Sequence, residues 1–208
     1  MIKYFAIAFS LLALGAGNAS AGDSNTAVDR ALVQAAGGQT IFAEFLLGAA
    51  DIREKTAQRS LLARIDEWLT SNFELPSAGE LPKVEYASAA KIVALRYNGL
   101  VVASSDITGS TSQRALEQST VAVYVDAEKT IYLPDEWSGR HLAELSVLVH
   151  EMVHHKQNLS GMHYDCLRAR EKLAYAAQDK FLQLFGRDLE GEFEVNPLAI
   201  LVRSTCVY

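Results

Sequence analysis

The stretch LSVLVHEMVHHKQ, residues 145–157, limits the fold more than any other part of the chain. Leu145, Leu148, Val149, Met152 and Val153 recur at three- and four-residue spacing, so the segment reads as a helix whose apolar side must be buried. On such a helix, residues four apart differ by about 40° around the axis, and His150 and His154 therefore project side by side from neighbouring turns. Glu151 stands about 100° round from His150, near enough to reach a water held between the imidazoles, while His155 points elsewhere. All five histidines of the chain fall between His141 and His163. Scattered surface usage does not crowd every imidazole into one short window, so the cluster asks for a metal or another shared purpose.

Around this helix the elements alternate in type. Residues 23–73 read as helical with a break at Gly37-Gly38, and Leu61, Leu62, Ile65, Trp68 and Leu69 make one apolar stripe. Such a stripe packs on a core; docking of a partner protein is the less economical reading. Pro76, Gly79 and Pro82 then punctuate the chain before a short strand, Lys83–Ala87, and a helix from Ser88 to about Tyr97. Ser104–Gln113 reads as a polar loop. Between Val121 and Leu133 the period changes to two: Val121, Val123 and Val125 share a face, Asp126–Lys129 turns, and Thr130–Leu133 pairs back until Pro134 ends the strand. Ser138 is the expected N-cap of the histidine helix, and a further helix runs from about Leu167 to Phe185. The expected class is α+β, a mostly helical domain with a small antiparallel hairpin or sheet ahead of the histidine helix.

The first 21 residues stand apart. Lys3 supplies a positive start, Phe5–Leu14 is a short apolar run, and Ala19-Ser20-Ala21 has the small residues of a cleavage site, the three parts of a secretory signal. About ten strongly apolar residues fall short of the roughly 20 needed for a span, and no cysteine follows the run to take a lipid anchor. The expected organisation is a signal peptide at 1–21 and a single domain at 22–208, exported to the periplasm or the extracellular space. No later segment is long and apolar enough to cross a bilayer. Loss of Lys3 with the leader leaves 18 basic against 25 acidic side chains, a net charge of −7. With no basic run, that balance speaks against nucleic acid or anionic membrane as partners. In an oxidising compartment Cys166 and Cys206 can pair in only one way, and closing a loop of about 40 residues would contribute roughly 4 kcal/mol on the chain-entropy account. Two buried free thiols are the alternative.

His150, Glu151 and His154 form an HExxH pattern on a helix just after a β-hairpin, and in this the segment resembles the zincin metallopeptidases. The resemblance covers roughly residues 120–180 and is specific at the five motif positions. It implies zinc, for which a catalytic site takes three protein ligands plus a water. The extended metzincin pattern is excluded, because positions 157 and 160 carry Gln157 and Ser160 instead of glycine and histidine. Two candidates remain for the third ligand, His163 in the connection after Gly161 and Glu171 on the following helix. Glu171, 17 residues past His154, resembles the gluzincin arrangement and is the preferred one. The chain departs from that arrangement four residues further on, at Tyr175, where an acid or amide is expected. Tyr175 and Gln178 share a face with Glu171, and Gln157 continues the His150/His154 face, so these three are expected around the ligands or on the substrate side. A Cys166–Cys206 bridge would fix the start of the Glu171 helix.

The resemblance further implies peptide-bond hydrolysis, with a water activated by zinc and Glu151 as general base. Tyr175, His163 or Tyr164 would stabilise the oxyanion, and sequence does not choose among them; Tyr175 stands with Glu151 as a candidate catalytic residue. The substrate would be a peptide or protein lying along a strand of the 121–133 hairpin. Two rival readings stay open: a zinc-binding domain without chemistry that serves as an inhibitor or interaction module, and a helical secreted domain with a chance motif. Retention of Glu151 weighs against the first, since a structural metal site needs no base beside it.

Overall fold

A computed structural model of the chain describes residues 51–96 and 122–206. The expected leader, the helical reading of 23–50 with its break at Gly37-Gly38, and the expected loop at Ser104–Gln113 lie outside the described residues, as do Tyr97 and Val121.

Helix α1 spans Lys55–Phe73 and starts at Glu54, whose carboxylate accepts the Ala57 N–H at 2.8 Å and so satisfies a donor of the first turn. Leu61, Leu62, Ile65, Trp68 and Leu69 are all buried, so the stripe is a core face. The helix ends at Glu74, which takes a left-handed conformation with φ 54°.

Strand β1 (Lys83–Ala87) leads into helix α2 (Ala89–Arg96), and strands β2 (Val123–Val125) and β3 (Thr130–Pro134) form the expected hairpin around the 126–129 turn. The sheet order is β1-β3-β2. Ile131 faces Tyr124 of β2 in an antiparallel pair and Val84 of β1 in a parallel one, so β1 extends the hairpin into a mixed sheet. Alternation along β3 then separates two layers. Ile131 and Leu133 enter the main core, whereas Tyr132 joins Val123, Ala87 and Ile92 in a smaller cluster against α2, with Val125 packed on its margin.

Helix α3 (Leu142–Leu159) is the histidine helix, and its N-cap is His141 rather than the expected Ser138. Ser138 lies too far ahead to cap. Its N–H and hydroxyl instead donate to the Glu144 carboxylate in the first turn, the hydroxyl at 2.8 Å, and this latch holds the bend that feeds the helix. Gly139 sits in that bend at φ 70°, and a Cβ there would stand 2.9 Å from the Trp137 ring, which only glycine avoids.

The apolar face expected on α3 is buried at Leu145, Leu148, Val149, Met152 and Val153, but so are His150, Glu151, His154, His155, Lys156 and Gln157 on the remaining sides. Each buried polar group therefore needs a partner. Lys156 has a side chain with 0% exposure, and its Nζ donates to the Asp66 carboxylate, to the Asp66 carbonyl at 3.2 Å and to Thr70 Oγ1 at 2.9 Å. Asp66 in turn accepts from Ser77 Oγ and the Ala78 N–H, both at 3.1 Å, so α1 and α3 are locked through a satisfied ion pair.

After α3 the chain turns at Gly161, runs through a 3-10 turn at Leu167–Arg170 and enters α4 (Glu171–Gln183), which packs along α3. Two short helices close the domain. Asp188 caps α5 (Leu189–Phe193), and Asn196 caps α6 (Pro197–Ser204), with Pro197 at the first helical position where it lacks only an unused N–H. One apolar core connects Ile52, α1, the sheet, α3, α4 and Val195. Among the described residues, no helix is long and apolar enough to cross a membrane.

Candidate metal centre

Helical spacing on α3 places the His150 and His154 rings with their centroids 5.0 Å apart and their Nε2 atoms 3.3 Å apart. Glu171 enters from α4, its Oε2 lying 3.1 Å from His150 Nε2 and its Oε1 3.5 Å from His154 Nε2. Four-coordinate zinc with bonds of about 2.0–2.1 Å holds its donors about 3.3 Å apart. The two imidazole nitrogens stand at that separation and each meets one of the two Glu171 oxygens, so His150, His154 and Glu171 form a group able to hold a metal, with one ligand atom from each within 4.8 Å of the others.

The opposite side of each imidazole decides what its Nε2 can do. His154 Nδ1 faces Gln157 Oε1 at 3.0 Å, and the Gln157 amide is oriented by donating to the Arg170 carbonyl at 3.1 Å, a group that only accepts. His150 Nδ1 faces Gln178 Oε1 at 3.1 Å. Gln178 Nε2 donates at 3.2 Å to Ser146 Oγ, whose own hydrogen goes to the Ala143 carbonyl at 2.7 Å, so this amide is oriented as well. Amide oxygens accept only, and both Nδ1 atoms must therefore carry the proton. With the proton on Nδ1, each ring turns its Nε2 toward the other and toward a carboxylate. Three electron-rich atoms converging in this way need a cation between them, either a proton or a metal ion.

The titration behaviour follows from the same geometry. Burial alone would lower the His154 pKa, yet the Glu171 hydrogen bond and the charges of Glu151 and Glu171 outweigh it and raise the value. For Glu171, burial acts upward, but hydrogen bonds and charge from His150 and His154 hold the carboxyl far below the usual range.

Several contacts fix Glu171 in place. It is the first residue of α4, where the helix N-terminus favours an acid, and its side chain is 21% exposed, so it is not a solvated surface glutamate. Arg170 just before it binds the Asp126 carboxylate with both guanidinium branches, at 2.6 and 2.9 Å, and also reaches the His154 carbonyl at 3.3 Å. The hairpin turn, the histidine helix and the third donor are thereby tied together. Cys166 and Cys206 are joined in a disulfide, which anchors the 3-10 turn ahead of Glu171 to the end of α6.

A family described as a domain of unknown function, DUF6647, matches residues 54–208, which takes in every side chain of this cluster. The chain belongs to the DUF6647 family. No curated protein and no solved structure matches it.

In this DUF6647 domain the other expected site residues fall into two groups. Glu151 is buried beside the cluster and accepts the Tyr124 N–H of β2 at 2.8 Å. Tyr175 is buried with its ring edge-on to His150, centroids 4.9 Å apart, and its hydroxyl accepts from Arg203 Nη1 at 3.3 Å. His163 is exposed and outside the cluster, and the Tyr164 hydroxyl is directed at Met162 Sδ, 3.4 Å away. His155 does point elsewhere, to the Tyr124 hydroxyl at 3.1 Å and the Glu80 carbonyl at 2.7 Å. The amide expected four residues past Glu171 stands seven past it, at Gln178. Ser146, Arg170 and Arg203 were not singled out by sequence; a disulfide to Cys206 was the one sign that the C-terminal segment lies beside this helix.

Proposed function

We propose that this protein is an exported zinc-dependent metallopeptidase. The observation that supports the reading is the convergence of His150 Nε2, His154 Nε2 and the Glu171 carboxylate, with one ligand atom from each residue within 4.8 Å of the others and both imidazole protons directed at Gln157 and Gln178. Structural zinc sites are closed by four protein ligands, and a three-ligand set leaves a position for water or substrate. The leader pattern and the Cys166–Cys206 disulfide support an oxidising destination.

In this reading His150, His154 and Glu171 hold zinc, which when bound supplies Lewis acidity toward a water and a substrate carbonyl. Glu151 takes the proton from the attacking water and delivers it to the leaving amine. The Tyr124 N–H fixes its carboxylate at Oε2, so the base is held in one orientation beside the ligands. Tyr175 keeps the His150 ring upright by edge-to-face packing, and its hydroxyl is the preferred oxyanion donor. Among the described strands β2 lies at one edge of the sheet, and an extended peptide or protein segment would lie along it without using the Tyr124 N–H, which Glu151 already holds.

A second reading, a zinc-binding interaction or inhibitory module without chemistry, draws on the same Glu151–Tyr124 contact, which would serve equally as a latch between α3 and β2. Incubating zinc-loaded protein with a mixed peptide library separates the two. Cleavage that falls by about 100-fold or more in Glu151→Gln, with zinc content and melting temperature retained, is the peptidase result. No cleavage by the wild type over the whole library would leave the module.

A further inference from the structure

We infer that Arg203 is a substrate-recognition residue that binds a carboxylate of the peptide next to the metal centre. The inference rests on the metallopeptidase reading and names the chemistry it selects. Arg203 lies in the last turn of α6, where any cation complements the helix dipole. That role needs no particular direction, yet the guanidinium is aimed at Tyr175, the residue packed against His150, with Nη1 3.3 Å from the hydroxyl.

Charge adds the second observation. Arg170 and Arg187 are each matched with a carboxylate, Asp126 and Glu192, whereas no carboxylate among the described residues pairs with Arg203. A divalent ion at the donors would bring two positive charges to the two carboxylates, Glu151 and Glu171, and Arg203 would stand beside them as one positive charge more. A guanidinium is planar and forked, with five donors, and one contact to a tyrosine leaves a pair of parallel N–H groups for a carboxylate.

The fold holds this cation where a recognition group must be. Arg203 is three residues before Cys206, and Cys166 is five residues before Glu171, so a single disulfide ties the recognition arginine and the third zinc donor to the same short turn. Arg203 is also exposed, which lets an incoming ligand reach it.

The test is calorimetric titration of the zinc-loaded full chain with three metal-chelating peptide hydroxamates. One ends in a free carboxylate, one ends in a carboxamide, and one ends in a carboxamide but carries an internal glutamate. Either acid is expected to bind about tenfold or more tighter than the neutral compound. The better of the two identifies a chain terminus or a side chain as the recognised group. Arg203→Met should abolish the difference while zinc content and melting temperature stay unchanged, and Arg203→Lys should restore part of it. Equal affinities on the wild type, or a preference that survives in Arg203→Met, would overturn the inference alone. If no hydroxamate binds zinc-loaded wild type, the metallopeptidase reading fails and takes this inference with it.

Discussion

Gln178 Oε1 stands 3.1 Å from His150 Nδ1, and this contact from α4 to α3 fixes which nitrogen of the imidazole is free to bind a metal. Glu171, seven residues earlier on the same helix, presents a carboxylate oxygen to the other nitrogen of that ring at 3.1 Å. One helix thus supplies both a candidate metal ligand and the group that orients its neighbour.

Replacing Gln178 by leucine keeps the bulk and removes the acceptor. Zinc affinity, measured by competition with a chromogenic chelator, should weaken about 10- to 100-fold, the range expected for loss of a ligand-orienting hydrogen bond. Lys172→Gln serves as a control, since Lys172 lies on the exposed side of α4 and should leave the affinity unchanged.

The pH dependence of metal binding has a definite sign. In the metal-free protein the His154 pKa is raised and the Glu171 pKa lowered, so a proton shared by the cluster stabilises the fold above the ordinary glutamate range. The His154 contribution is complete below its unfolded value, 6.5, and fades as pH rises through the folded one. Zinc must displace that proton. The rise in melting temperature caused by zinc should therefore be small near pH 5.5 and grow toward pH 8, with proton release on binding. A zinc-induced shift that is larger at the acid end would contradict the cluster.

Lys156 lies two residues past His154 but serves stability. Its ammonium is fully buried against Asp66, and removing one partner leaves the other charge buried. Lys156→Met should cost about 3–5 kcal/mol in urea unfolding, while the double variant with Asp66→Leu recovers much of the loss. Additive losses in the double variant would show that the two side chains are not energetically coupled.

The sequence made the elements around the centre legible because their patterns are local. The Leu61–Leu69 stripe, the Lys83–Ala87 strand and the 121–133 hairpin each depend on spacing within one segment, and all appear wherever the residues are described. His150, Glu151 and His154 were legible for the same reason, since one turn of helix brings them together. The start of α3 was misread because Ser138 has cap chemistry but uses it on Glu144, a choice made by the Trp137–Gly139 bend. Parallel addition of β1 to β3, the Asp126–Arg170 tie and the approach of Arg203 to Tyr175 join segments 28 or more residues apart. Such contacts depend on packing, and no periodicity records them.

Zinc analysis of the purified protein beside Glu151→Gln and Glu171→Ala tests the centre most directly. Near one zinc per chain in the wild type and Glu151→Gln, with most of it lost from a folded Glu171→Ala, is the expected result. Substoichiometric zinc in the wild type after zinc loading, or full zinc in Glu171→Ala, would contradict a centre built from His150, His154 and Glu171.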